Sequence, residues 1–310
     1  MRPGLVVLTP LAAFSLSDLY QLRCFGTLGL VLGTAGRSSD GEVVAPLAAV
    51  ITSPLAQELL KTFTEGSLRY RLDFVGKGHQ RSTVRELANR AYALCPEILN
   101  DARSAPWTIA IHPVGHGYSV ELSPKMSDPR FAYRQDDVPA ASHPPLAACM
   151  ARLAGVVEND VVWDPFCGSG LELIERSLLG GVQRIYGTDR SAEAIAIAGQ
   201  NLAAAELSAI PAQLTACDFR DFASIEGVKP RSVSLVITNP PLGKRIPIPN
   251  LRGLILDLFE AAATALKSGG RLVLVNPFWL EAPHPLMKLE SRTLVDIGGF
   301  NCRLEKYLKL

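Results

Sequence analysis

A chain of 310 residues with 48% hydrophobic and 20% charged residues has the makeup of a globular protein with room for two ordinary domains. Its formal net charge of +1 excludes a global electrostatic pull toward nucleic acid, so any RNA contact must rest on a local basic patch or on an activating protein partner. The six cysteines form no C-x-x-C pair and sit near no histidine cluster, which argues against both a zinc site and a disulfide framework and leaves no metal expected.

Met1 to Phe14 carries one arginine and an apolar run broken by Pro3 and Pro10, a poor signal peptide. No apolar stretch approaches the roughly 18 residues of a membrane span. A soluble, cytoplasmic protein is the expectation. Gly26, Gly29, Gly33 and Gly36 then interrupt the pattern, fitting neither a stable helix nor a clean strand. From Leu68 to Val75 the residues alternate as a strand does, and Ser82 is placed to cap a helix running to Leu94. Trp107–His112 and Tyr118–Ser123 read as a strand pair. Residues 1–122 are therefore expected to form a small α+β accessory domain. In it Arg69, Arg71, Lys77, His79, Arg81, Arg85 and Arg90 far outnumber Asp73 and Glu86. Such a patch can neutralise phosphates, with Arg81 and Arg85 as the leading RNA contacts, although a solvated helix face explains the same charges equally well.

Residues 123–145, rich in proline, serine and aspartate, read as a linker. Beyond them, over residues 146–310, short apolar runs alternate with helix-period segments in the manner of a parallel α/β domain. Strands are expected at Val161–Trp163, Arg184–Gly187, Gln213–Ala216, Ser234–Thr238, Arg271–Val275, Thr293–Gly298 and Arg303–Leu308. Helices are expected at Leu171–Leu179, Ala192–Ala204 and Leu254–Leu266, the last stopped by Ser268-Gly269-Gly270. The expected fold class is α/β, a Rossmann-like sheet with an N-terminal α+β accessory domain.

Four strand ends carry chemistry. Asp164-Pro165-Phe166-Cys167-Gly168-Ser169-Gly170 is a glycine turn opening a helix, where Gly168 and Gly170 permit a ligand to approach the backbone N–H groups. Asp189-Arg190, about 20 residues on, stands where an acid binds ribose hydroxyls. Asp218-Phe219 after the third strand can accept from an adenine amine and cover its ring, while a helix cap is the plainer role for the aspartate. After the fourth strand comes Asn239-Pro240-Pro241-Leu242-Gly243-Lys244-Arg245. An exocyclic or amide nitrogen is a poor nucleophile because its lone pair is delocalised. The Asn239 side-chain oxygen and the Pro240 carbonyl can accept its two hydrogens and turn the lone pair outward, with no metal or covalent nucleophile required.

These residues resemble the class I methyltransferases, and specifically the THUMP-associated RNA guanine-N2 methyltransferase family. The resemblance rests on Asp164 to Gly170, Gly187-Thr188-Asp189 and Asn239 to Arg245. It extends upstream to Phe131-Ala132-Tyr133-Arg134 and Pro144-Pro145-Leu146-Ala147-Ala148-Cys149-Met150. It implies S-adenosyl-L-methionine as cofactor, held by Asp164, Pro165, Phe166, Cys167, Gly168, Gly170, Asp189, Arg190, Asp218, Phe219 and Asn239. It also implies a catalytic loop from Asn239 through Pro240 and Pro241 to Leu242, and RNA contacts at Arg134, Lys244 and Arg245. One departure stands out: Leu242 occupies a place that in the family is usually aromatic and stacks on the target base. Methylation of guanine N2 is the expected activity, with tRNA the first substrate and rRNA or small nuclear RNA the alternatives. A glutamine-amide or DNA adenine-N6 methyltransferase, and a cofactor- or RNA-binding scaffold with little catalysis, are the competing functions.

Overall fold

The structure is a computed structural model that describes residues 6–9, 15–36, 42–76, 80–125, 128–139, 141–224, 228–243 and 248–310. A short helix α1 (Leu16–Tyr20) comes first. The chain divides into two compact units, residues 1–18 with 25–128 and residues 19–24 with 129–310.

In the first unit the elements run β1 (Leu30–Gly36), α2 (Val44–Ile51), α3 (Pro54–Phe63), β2 (Leu68–Phe74), α4 (Arg81–Leu94), β3 (Ile98–Asn100), β4 (Trp107–Val114) and β5 (Gly117–Pro124). The sheet order is β1-β5-β4-β2-β3. β2, α4 and the β4–β5 hairpin stand where the sequence pattern puts them. Ser82, however, lies inside α4; Gln80 is the residue before the first turn and makes no side-chain cap. The second half of the glycine-rich stretch, from Leu30 to Gly36, is a strand. Its register slips between Val31 and Gly33, and the bulge takes up the glycine that spoils the two-residue period. Leu47, Ile51, Leu60, Tyr70, Leu87, Ile109, Ile111, Val120 and Leu122 are the buried centre of this unit.

The second unit runs α5 (Pro144–Ala154), β6 (Asp160–Asp164), α6 (Leu171–Ser177), β7 (Val182–Asp189), α7 (Ala192–Ala204), β8 (Ala212–Ala216), β9 (Val233–Thr238), α8 (Leu251–Ala265), β10 (Leu266–Asn276), β11 (Met287–Asp296) and β12 (Asn301–Lys309). Strand order is β11-β12-β10-β9-β6-β7-β8. β10, β9, β6, β7 and β8 are parallel, and β12 is antiparallel to β10 and β11. β6 is flanked by β7 on one side and β9 on the other, so the chain reverses its winding direction there. The loops after β6 and β9 diverge to opposite faces and leave a crevice at the carboxyl edge, where open α/β sheets bind ligands. One face packs its apolar residues with α8, including Phe259, Leu258 and Tyr307; the other packs with α5 and α6, including Met150, Leu173 and Val275.

The linker expected over 123–145 is corrected. Residues up to Pro124 complete β5, and residues from Pro129 onward belong to the second unit. Tyr133 donates its hydroxyl to Glu175 at 2.7 Å, Gln135 N–H donates to Asn201 Oδ1 at 2.8 Å, and Asn201 Nδ2 donates to the Asp136 and Ser169 carbonyls at 3.0 and 2.9 Å. Prolines and aspartates here shape an ordered strap, because buried polar partners on α6 and α7 receive its backbone. Arg23 joins the same cluster, gripping both oxygens of Glu175 at 2.7 and 2.8 Å.

Candidate active site

The glycine turn after β6 is closed on itself. Gly168 N–H donates to Asp189 Oδ2 at 3.1 Å and Gly170 N–H to the Cys167 carbonyl at 2.7 Å. These two N–H groups are spent within the protein, and what the glycines supply is conformation, with φ of +49° and +86°, values that side chains with a Cβ adopt at a cost. Asp164, Pro165, Cys167 and Gly170 are buried, whereas Phe166 and Gly168 keep open surface toward the crevice.

Asp189 ends β7 with its carboxylate shared between Gly168 N–H and Ser191 N–H, the latter at 2.9 Å. One acid thus locks the glycine turn to the neighbouring strand end. Arg190 points away, its side chain 82% exposed and 3.9 Å from Asp218. Asp218 takes the capping role, accepting from Arg220 N–H at 3.0 Å, and is held by the Arg220 guanidinium, which also reaches Asp257 at 2.8 Å. Phe219 is turned into the core with its ring 4.7 Å from that of Phe166, so Phe166 is the member of the pair that faces outward. Sequence reasoning missed Arg220, whose spacing from Asp218 looks like an ordinary surface charge pair.

At the end of β9 the arrangement is more specific. Asn239 Nδ2 donates to Ser142 Oγ at 2.8 Å, and Ser142 in turn donates its hydroxyl to Glu172. Because the hydroxyl proton is committed to the carboxylate, Ser142 Oγ must accept from Asn239, which fixes the amide orientation. That leaves Asn239 Oδ1 buried with no hydrogen-bond partner among the described residues. A buried acceptor left empty costs about 1–3 kcal/mol, and such an atom asks for a ligand donor. Ser142 and Glu172 were not singled out in the sequence: one lay in the supposed linker, the other on a helix where a glutamate reads as solvated. Pro240 is buried; Leu242 is half-buried and packs against the apolar cluster of α5 and α6. Arg134 is paired with Asp137. Lys244 and Arg245, like Lys77 and His79, lie outside the described residues.

The electrostatics of the crevice favour a cationic occupant. Burial, with the neighbouring Glu172 and Asp189 charges adding to it, pushes the Asp164 carboxyl well above the usual carboxylate range. Burial likewise pushes Glu172 up to about 6. Two buried carboxyls in a low-dielectric site, Asp164 and Glu172, are relieved by a positive charge. Among the described residues no group of three metal-binding side chains is found, and no helix is long and apolar enough to cross a membrane.

A doubly wound sheet of this strand order, with a glycine turn, an acid and an N-P-P loop at successive strand ends, is a Rossmann-like class I methyltransferase fold. Residues 132–278 match the family described as UPF0020, RMKL-like, methyltransferase domain. The tRNA (guanine(10)-N2)-dimethyltransferase of Methanothermobacter thermautotrophicus is 29% identical over 145 residues, 46% of this chain and 40% of that protein. The chain therefore matches well under half the length of that curated relative. TrmN from Thermus thermophilus shares the fold with a TM-score of 0.70 and 20% identity, over 97% of this chain and 88% of that one. SMU.472, whose crystal structure is a complex with SAH, does so with a TM-score of 0.67 and 15% identity, over 93% and 85%.

S-adenosylmethionine is the methyl donor of such domains, and the residues fit it: its ammonium and sulfonium groups supply the positive charge that the buried Asp164 and Glu172 carboxyls lack. Ionised carboxylates are needed to meet those cations, whereas the free protein favours the protonated form of Asp164. Binding should therefore release protons, and affinity should climb as pH rises through the shifted carboxyl range and weaken below about 6, where Glu172 also gains its proton. Calorimetry in buffers of different ionisation enthalpy measures the released protons; pH-independent affinity with none released would remove these carboxyls from the cofactor site.

Proposed function

We propose that this chain is an S-adenosylmethionine-dependent RNA methyltransferase that modifies the exocyclic N2 amine of guanine, with tRNA as the substrate. The observation that carries the reading is the unpartnered, oriented Oδ1 of Asn239. When bound, the cofactor supplies an electrophilic methyl group on a sulfonium. Asn239 Oδ1 accepts one hydrogen of the amine, draws its lone pair out of conjugation and stabilises the positive charge that develops on nitrogen. Ser142 and Glu172 keep the amide from rotating its NH2 group toward the target. Asp189 holds the ribose with the lone pairs left beside its two backbone bonds, and the adenine contact narrows to Asp218 and the open face of Phe166. The guanine-N2 assignment draws support from the archaeal relative, whose name carries that activity.

Incubation with unfractionated tRNA and methyl-labelled cofactor, followed by nucleoside mass spectrometry, tests the reading. N2-methylguanosine is the expected product. Label found only in DNA N6-methyladenine or in a peptide glutamine would replace it, and no transfer to any of these would leave a binding scaffold.

For the accessory unit we place RNA phosphates on α4, where Arg81, Arg85 and Arg90 are exposed. Replacing Arg81 and Arg85 together with alanine should weaken tRNA binding several-fold and lower the slope of log affinity against log salt by about 2, because two phosphate contacts are lost. Cofactor affinity should be unchanged. If the salt slope survives the double substitution, the face is merely solvated.

A further inference from the structure

The segment following β10, Pro277-Phe278-Trp279-Leu280, is apolar throughout, yet its side chains part company. Leu280 is buried, Phe278 packs against the core, and Trp279 is 59% exposed. Its exposure is not looseness. Arg303 Nη1 donates to the Pro277 carbonyl at 2.9 Å and Arg292 Nη2 to the Leu280 carbonyl at 2.6 Å, clamping the segment at both ends. The same two guanidiniums lie 5.5 and 4.5 Å from the indole ring centroid. Behind Arg292 stands Glu305, fully buried, which also accepts from Asn276 Nδ2 at 2.9 Å and from the Tyr307 hydroxyl at 3.0 Å. An indole is therefore held outward from the core by a chain of bonds, and Arg303 has no carboxylate partner among the described residues.

Topology says what lies beside it. The cofactor residues occupy the ends of β6, β7 and β8, all on one side of β9. The substrate must then approach Asn239 from the other side, where the next strand is β10, about 5 Å away. Trp279 lies just beyond the carboxyl end of that strand. Meanwhile Leu242, in the N-P-P loop, is turned into the apolar cluster and offers no aromatic ring.

We infer that Trp279, backed by Arg292 and Arg303, is a stacking platform for a nucleobase of the RNA substrate, with Arg303 available to its phosphate. An aromatic face flanked by guanidiniums matches the π surface and the negative backbone of a nucleotide, and unpaired bases are what RNA-binding sites stack on such rings. The inference rests on the RNA-methyltransferase reading.

The chain supplies its own probe. Of its three tryptophans, Trp107 and Trp163 are 4% and 0% exposed, so solvent-sensitive fluorescence comes from Trp279. Titration of the whole protein with unfractionated tRNA should quench that emission. Trp279→Ala should abolish the quenching, weaken tRNA binding by about 10-fold or more and raise KM for tRNA, with cofactor affinity intact; Trp279→Phe should recover most of the binding. If the wild type methylates tRNA but its fluorescence does not respond and Trp279→Ala binds as tightly, the platform is wrong while the functional reading stands. If the wild type neither binds nor methylates tRNA, both fall together, and a peptide substrate whose KM depends on Trp279 would show that the ring serves protein instead.

Discussion

Asn239→Ala should lower the turnover number by roughly 100-fold or more while leaving cofactor affinity within a few-fold of the wild type. The expectation follows from when the Oδ1 bond is made. In the free protein that oxygen has no partner among the described residues, and in the reaction it meets an N–H whose acidity grows as the methyl moves. An interaction that strengthens only toward the transition state is lost from the rate and hardly from ground-state binding. Asn239→Asp makes the complementary case, since a carboxylate keeps an acceptor but cannot donate to Ser142. Partial activity in that variant with loss in Asn239→Ala would assign the effect to the acceptor. Single-turnover kinetics with tRNA and saturating cofactor gives the measurement, and an alanine variant at full speed would sink the amine-orienting mechanism.

Much of this site is legible in the sequence because strand ends are read from local pattern. β9 is buried at every position and stops at Asn239, so its apolar run alone places the N-P-P loop at the carboxyl edge. α7 begins and ends where expected because Ser191 caps it, accepting from Ala194 N–H at 3.2 Å. What escapes depends on residues far apart in the chain. Ser142 and Asn239 are 97 positions apart and Ser142 and Glu172 30 apart, and no periodicity links them. The glycine turn is legible only in part. Its residue types announce close backbone approach, but whether an N–H faces a ligand or a neighbouring carboxylate depends on where Asp189 falls, which only the paired strands decide. In the accessory unit the bulge in β1 breaks the alternation that would have revealed the strand.

The edge of the sheet opposite the crevice carries the largest expected effect on stability. Asp160, the first residue of β6, is fully buried and takes Arg176 Nη2 at 2.6 Å, the Arg271 guanidinium on both oxygens and the Ser234 hydroxyl at 2.7 Å. Arg176 is itself fully buried and Arg271 nearly so. One carboxylate therefore answers two guanidiniums, and their remaining bonds reach only the carbonyls of Gly180, Ala154 and Gly155. Asp160→Ala would strand two cations in a low-dielectric interior. Removing one partner of a buried pair costs about 3–5 kcal/mol. For a unit of this size that corresponds to a fall of about 10 °C in the melting temperature. The network ties the amino end of β6 to the last turn of α6, to the start of β9 and to the middle of β10, whereas the crevice is at the carboxyl end of β6. Asp160 and Asp164 are separated along the strand by about 13 Å. Below the lowered transition, cofactor affinity should thus stay close to that of the wild type. Thermal melts followed by calorimetric titration at about 15 °C, near the temperature of greatest stability, separate the two effects. An unshifted melting temperature would mean that water or relaxation satisfies the arginines, and lost affinity in a folded variant would mean that the two edges of β6 are coupled.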